Sequence, residues 1–88
     1  MIKHEIIIQN KLGLHTRAAA KLVDTAKRYS SRIELIFGDR VENCKSIMSI
    51  ITLGAQKDNK LELIINGEDE EEALIAIVKL IDNKFGED

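Results

Sequence analysis

Apolar residues in this chain follow two spacings in turn, every second residue and then every third or fourth, and that exchange of periods limits the fold more than any other feature. A period of two puts side chains on alternate faces of a strand, whereas a period near 3.6 gathers them on one face of a helix. Ile2 to Ile8 carries the first spacing: Ile2, Ile6 and Ile8 share a parity with Lys3 and Glu5 opposite, although His4 and Ile7 interrupt strict alternation. From Thr16 to Arg28 the second takes over, with Ala19, Leu22, Val23 and Ala26 at i, i+3, i+4 and i+7. Arg32 to Phe37 returns to alternation with Ile33, Leu35 and Phe37 inward, and Gly38-Asp39 is a turn signal into a short strand over Arg40 to Glu42.

Ser46 then stands before Ile47, Met48, Ile50 and Ile51, and Gly54 follows them, which is the layout of an N-cap, a short helix and a C′ glycine. Core positions on that helix fall to Ile47, Ile50 and Ile51, leaving Met48 toward solvent. Lys57-Asp58-Asn59 reads as a turn, and Leu61, Leu63 and Ile65 alternate with Glu62 and Ile64 through a last strand that stops at Asn66-Gly67. In the final helix Asp69 and Glu72 have capping-box spacing, Lys79 and Lys84 lie toward the end, and the apolar face is Leu74, Ile77, Val78, Ile81 and Phe85, with Gly86 as the stop. The order βαββαβα predicts an α+β fold, a two-layer open-faced sandwich whose four-stranded antiparallel sheet is covered on one face by helices.

With 88 residues the chain has room for one domain, residues 1–88, and a single small core. A net charge of −2 and three aromatics, Tyr29, Phe37 and Phe85, offer nucleic acid neither attraction nor a stacking platform. No apolar run approaches the roughly 20 residues that span a bilayer, so membrane insertion is not expected. The lone Cys44 excludes an internal disulfide, and the opening Ile2-Lys3-His4-Glu5 lacks signal-peptide organisation; a cytoplasmic location fits both. Cys44 lies beside Lys45 near a helix start, a setting that can lower a thiol pKa, but with no resolving cysteine it reads as a buried or bystander thiol. His4 has no second His or Cys at ligand spacing, and neither a metal nor a cofactor is called for.

The segment Gly13-Leu14-His15-Thr16-Arg17-Ala18-Ala19 carries the chemistry. A loop glycine delivers His15 to the position just before an amphipathic helix, where several amide N–H groups lack intrahelical partners. Those amides make an anion site, and Arg17 adds a guanidinium able to grip phosphate oxygens, so the histidine is well placed to hold a phosphoryl group. On spacing alone, a histidine that merely begins a helix remains an alternative, as does a purely capping role for Ser46 in Lys45-Ser46-Ile47-Met48-Ser49.

These two motifs, at this separation and in a chain of this length, resemble the HPr family, the histidine-containing phosphocarriers of the bacterial phosphoenolpyruvate-dependent phosphotransferase system. Residues 13–19 resemble the active-site signature and residues 45–49 the regulatory serine signature, and the likeness in length and element order extends over the whole chain. The resemblance implies a carrier, not an enzyme: His15 takes a phosphoryl group from enzyme I at Nδ1 and passes it to sugar-specific acceptor components, steadied by Arg17. It further implies that Ser46 is phosphorylated by an ATP-dependent HPr kinase/phosphorylase, with a transcriptional regulator as a further partner, and that Thr16, Ala20, Ile47, Met48 and Ile51 form the docking patch. Two readings stand beside it: a carrier of the nitrogen-related branch, and a regulatory module that binds its partner only when Ser46 is phosphorylated. The chain departs from the family pattern at Ala18, where proline is usual, and at Ser49, where glycine is usual. An alanine in a helix's first turn restores a donor and keeps the helix, at a cost of about 0.4 to 1 kcal/mol through a freer unfolded chain.

Overall fold

The structure, a computed structural model, describes residues 1–87. Strands β1 (Ile2–Ile7), β2 (Arg32–Phe37), β3 (Arg40–Asn43) and β4 (Lys60–Asn66) form one sheet in the order β1-β4-β2-β3. Every neighbouring pair is antiparallel. Helices α1 (Thr16–Ala26), α2 (Ile47–Thr52) and α3 (Glu70–Asp82) complete the predicted βαββαβα order. Among the described residues no helix is long and apolar enough to cross a membrane.

The register explains why only one sheet face is covered. Ile2, Ile65 and Ile33 lie side by side across three strands, as do His4, Leu63 and Leu35, so these residues share a face. Ile33, Leu35, Leu61, Leu63 and Ile65 are buried there beneath the helices, together with Ala19, Leu22, Val23 and Ala26 of α1. Lys3, Glu5, Glu62 and Arg32 fall on the other, exposed face. His4 breaks the sequence pattern for a local reason: it belongs to the helix side but sits at the edge strand, where it borders Leu74, Ile75 and Val78 of α3 in an open notch.

Three details differ from the sequence expectation. On α2, Ile50 is buried and Ile51 half-buried, but Ile47 is exposed along with Met48, and the second fully inward residue is Leu53, just past the helix end. The capping box does not form: Asp69 is the N-cap of α3, yet its side chain makes no cap hydrogen bond. Its carboxylate instead accepts from the amide and hydroxyl of Ser30 (2.8 and 3.3 Å) and of Ser31 (3.0 and 2.5 Å), binding the start of α3 to the approach to β2. Glu70 does the local work, accepting from the Gly67 amide at 3.1 Å. Finally, α3 ends at Asp82, and Phe85 reaches the core through a left-handed turn in which Lys84, Phe85 and Gly86 have φ of 55°, 56° and 75°.

The Ser31 hydroxyl first, and then the Ser30 amide, hold the Asp69 carboxyl down to about 2, from an ordinary value of 3.8. A depressed carboxylate contributes stability above its unfolded value and loses it as pH falls through the folded one. Asp69→Asn is therefore expected to melt below the parent at pH 7, with the gap closing as both are acidified toward pH 2; a gap independent of pH would contradict the assignment.

Cys44 is fully buried, and Lys45 is drawn away from it, donating to the Tyr29 carbonyl at 2.7 Å. Burial, helped by the Glu34 carboxylate, pushes the Cys44 thiol up to about 12, opposite to the lowering that its sequence neighbour suggested. Iodoacetamide at pH 8 is expected to leave Cys44 unmodified in native protein and to alkylate it once urea unfolds the chain. Rapid native labelling would contradict the burial.

Candidate functional site

The loop before α1 is fastened so that His15 arrives at one place. Gly13 has φ +70°, a conformation glycine adopts at no steric cost, and a Cβ there would fall 2.6 Å from the Ala55 carbonyl oxygen. That close approach lets the Leu14 amide donate to the same carbonyl at 2.9 Å, while the Gly13 amide donates to the Asn10 carbonyl at 3.1 Å. The next residue is the N-cap of α1: His15 has extended backbone angles, and its carbonyl accepts the first helical bond from Ala19 at 2.8 Å.

The imidazole is held at both nitrogens. Nδ1 accepts from the Arg17 amide at 3.3 Å, the capping contact of a helix start. Nε2 lies 2.5 Å from Oε2 of Glu87. A backbone amide can only donate and an ionised carboxylate can only accept, so both partners select the neutral tautomer with its proton on Nε2 and its lone pair on Nδ1. Glu87 is 72 positions away in sequence, and no spacing pattern pointed to it. Burial raises its carboxyl, but hydrogen bonds from Asn10 and His15 and the nearby Lys21 charge outweigh that effect and leave it below the ordinary carboxylate value.

Around the ring is an open cleft of about 780 Å³, lined by Leu12, His15, Thr16, Arg17, Ala20, Lys21, Gly86 and Glu87. Arg17 is exposed and Lys21 half-exposed, so two cations face the space beside the free amides of α1. The site suits an anion presented by a partner's surface better than an engulfed small molecule. Among the described residues no three His, Cys, Asp or Glu side chains cluster as a metal site requires.

A family model described as the phosphotransferase-system HPr component phosphorylation site matches residues 2–83. The chain belongs to the HPr family. It is 44% identical to the phosphocarrier protein HPr of Xylella fastidiosa over 88 residues, covering 100% of this chain and 99% of that protein. With HPr of Pseudomonas aeruginosa the identity is 50% over 86 residues, 94% of this chain and 93% of the relative. The crystal structure of an HPr from Thermoanaerobacter tengcongensis superposes with a TM-score of 0.96 at 46% identity, covering 100% of this chain and 99% of that one. The βαββαβα open-faced sandwich is accordingly the HPr fold, and the chain is a phosphotransferase-system phosphocarrier.

Of the residues singled out in the sequence, Thr16, Arg17 and Ala20 share the cleft with His15. Ile47, Met48 and Ile51 lie on α2, which packs beside α1; Met48 is 70% exposed and Ile47 40%, a large apolar surface for so short a helix. Ser46 is the N-cap of α2, half-exposed, its Oγ accepting from the Ser49 amide at 3.3 Å. Neither family departure disturbs its helix: α1 starts at Thr16 with Ala18 buried, and Ser49 serves the cap with its amide while its carbonyl accepts from Thr52.

Proposed function

We propose that this HPr, folded as one domain over residues 1–88, relays phosphoryl groups through His15 in the cytoplasm, from enzyme I to sugar-specific acceptor components. The observation that carries the reading is the capped imidazole, whose Nδ1 lone pair stands at a helix start in an open cationic cleft. Nδ1 gives up the hydrogen bond from the Arg17 amide and its lone pair attacks phosphorus, the bond from phosphorus to the donor breaks with its electron pair leaving on the donor, and the proton on Nε2 stays where it is. The Arg17 guanidinium and the amides of α1 neutralise the phosphoryl oxygens. No cofactor takes part, and the reaction belongs to the enzymes on either side. Thr16, Ala20, Ile47, Met48 and Ile51 make the apolar seat on which those partners dock.

Ser46 is the regulatory site, phosphorylated with ATP by an HPr kinase/phosphorylase. A phosphate of about −1.5 to −2 charges is tolerated at the start of α2 but repels an acidic partner docking over Ile47 and Met48. Its exposed flank also supports a second role, binding a transcriptional regulator when Ser46 is phosphorylated.

The test is onward transfer. Protein incubated with phosphoenolpyruvate and enzyme I is expected to gain one acid-labile phosphoryl group and to lose it to a sugar-branch acceptor; ATP and the kinase should add an acid-stable one at Ser46. Transfer only to a nitrogen-branch acceptor would move the chain to that branch. Regulator binding by Ser46→Asp that survives replacement of His15, together with no phosphoryl uptake by the parent, would favour the regulatory module.

A further inference from the structure

We propose that the free edge of β1 is an interface for a second copy of this chain: the two β1 strands pair antiparallel about a two-fold axis at His4 and join two four-stranded sheets into one. The inference is independent of the phosphocarrier reading, since no residue of β1 lines the cleft around His15.

β1 lies at one end of the order β1-β4-β2-β3, so one side of its backbone has no neighbouring strand. Which groups it offers there follows from the pairing on its other side. The Ile8 amide donates to the Asn59 carbonyl at 3.0 Å, continuing the β1–β4 register, and hydrogen-bonded positions alternate along an antiparallel pair. Ile2, His4 and Ile6 therefore turn their amides and carbonyls toward β4, and Lys3, Glu5 and Ile7 turn theirs outward. Sheet edges are commonly blunted by proline, by a bulge or by shortness. The chain has no proline, β1 runs for six residues, and its register to β4 is unbroken from Ile2 to Ile7. The other edge, β3, has only four residues, and its Arg40 and Glu42 are already paired with each other at 3.2 Å. Lysine also blunts an edge, and Lys3 stands on this one, so the charge that Lys3 would meet decides whether the edge can pair.

Outward groups bond only to outward groups, which limits the register to steps of two residues. With the axis at His4, Lys3 stands opposite Glu5 of the second copy and Glu5 opposite its Lys3, an ion pair on either side of the axis. Met1 and Ile7 then meet Ile7 and Met1 of the second copy, and both are exposed apolar residues in the single chain, at 70% and 40%. Moving the axis one residue either way puts Glu5 against Glu5 or Lys3 against Lys3, and sets a charge against an apolar side chain. Glu5 also gains what its own chain withholds. Directly opposite it on β4 is Glu62, a like charge, and among the described residues neither Lys3 nor Glu5 forms an ion pair. Lys3 of the second copy supplies the missing cation. On the helix side the axis brings together the two notches of His4, Leu74, Ile75 and Val78, in which Ile75 is 69% exposed. The same surface serves both copies, so the contact closes at two and leaves neither β1 edge free.

The test is a charge exchange in the full chain, read by sedimentation equilibrium at about 1 mM protein and low salt, conditions that populate a narrow, charge-matched interface. The parent is expected to form a dimer. Its Lys3, Glu5 and Ile7 amides should exchange with solvent more slowly as concentration rises, with the His4 and Ile6 amides, already bonded to β4, as the reference. Lys3→Glu sets Glu against Glu at both ion-pair positions, and Glu5→Lys sets Lys against Lys. Each variant alone is expected to associate about ten-fold more weakly than the parent. Mixed one to one, the two are expected to associate as tightly as the parent, because every like pair becomes an opposite one. Both side chains are exposed, so circular dichroism should match the parent's and separate lost pairing from lost folding. A parent that stays monomeric, its outward amides indifferent to concentration, would overturn the inference and leave the edge to an extended segment of another protein. Association that the charge reversals do not weaken, or a mixture no tighter than its components, would overturn it as well.

Discussion

Phe85→Ala is expected to lower the free energy of unfolding by about 3 to 5 kcal/mol, the range for removing a fully buried aromatic ring. For a chain of 88 residues the whole stability is about 4 to 13 kcal/mol, so this one truncation consumes a large share of it. The effect should exceed simple cavity formation. The ring anchors a turn whose backbone is in the left-handed region at Lys84 and Phe85, and without it only hydrogen bonds, such as that from Lys21 to the Phe85 carbonyl, are left to offset the cost of that conformation. The turn should then relax, and Glu87 should leave His15. Urea unfolding followed by circular dichroism measures the first consequence, and the His15 Cε1–H resonance the second. A loss under about 1 kcal/mol with the His15 environment intact would mean that Phe85 does not close the core.

How much of this was legible in the sequence depended on whether the controlling interaction was local. The Leu61, Leu63 and Ile65 alternation and the Ala19 to Ala26 stripe gave their elements directly, because one face of each is covered and a slip of one residue would expose it. His15 was legible for the same reason: a histidine before an apolar-periodic run, two residues from an arginine, is a local pattern. Asp69 was misread because its spacing to Glu72 satisfied a local rule while its carboxylate found four donors nearly forty residues away, at Ser30 and Ser31. Phe85 was placed in the core correctly and by the wrong route, since helix periodicity cannot foresee a chain reversal without glycine at its start. Ile47 was assigned inward because the pattern on a six-residue helix is too short to fix the angle of its buried face. Glu87 had no local signal at all; only the packing of the turn after α3 against the Asn10 to His15 loop brings it to the ring.

His15→Ala is expected to abolish phosphoryl uptake outright, the largest functional effect of any substitution considered. The structural cost is modest: an N-cap is lost at about 1 kcal/mol, so the variant should remain folded, with the parent's circular dichroism spectrum. Chemistry, however, loses the one imidazole that lines the cleft. The neighbouring Thr16 hydroxyl is a weak nucleophile, the Glu87 carboxylate is a weak base, and Arg17 and Lys21 are cationic. Ser46 provides the internal control, since its modification draws on ATP and a different enzyme and should proceed on the folded variant.

The central claim is therefore tested by one comparison: parent, His15→Ala and Ser46→Ala incubated together with phosphoenolpyruvate and enzyme I, and read by intact mass before and after mild acid. The account predicts one acid-labile phosphoryl group on the parent and on Ser46→Ala, and none on His15→Ala. An equal gain by folded His15→Ala would contradict it.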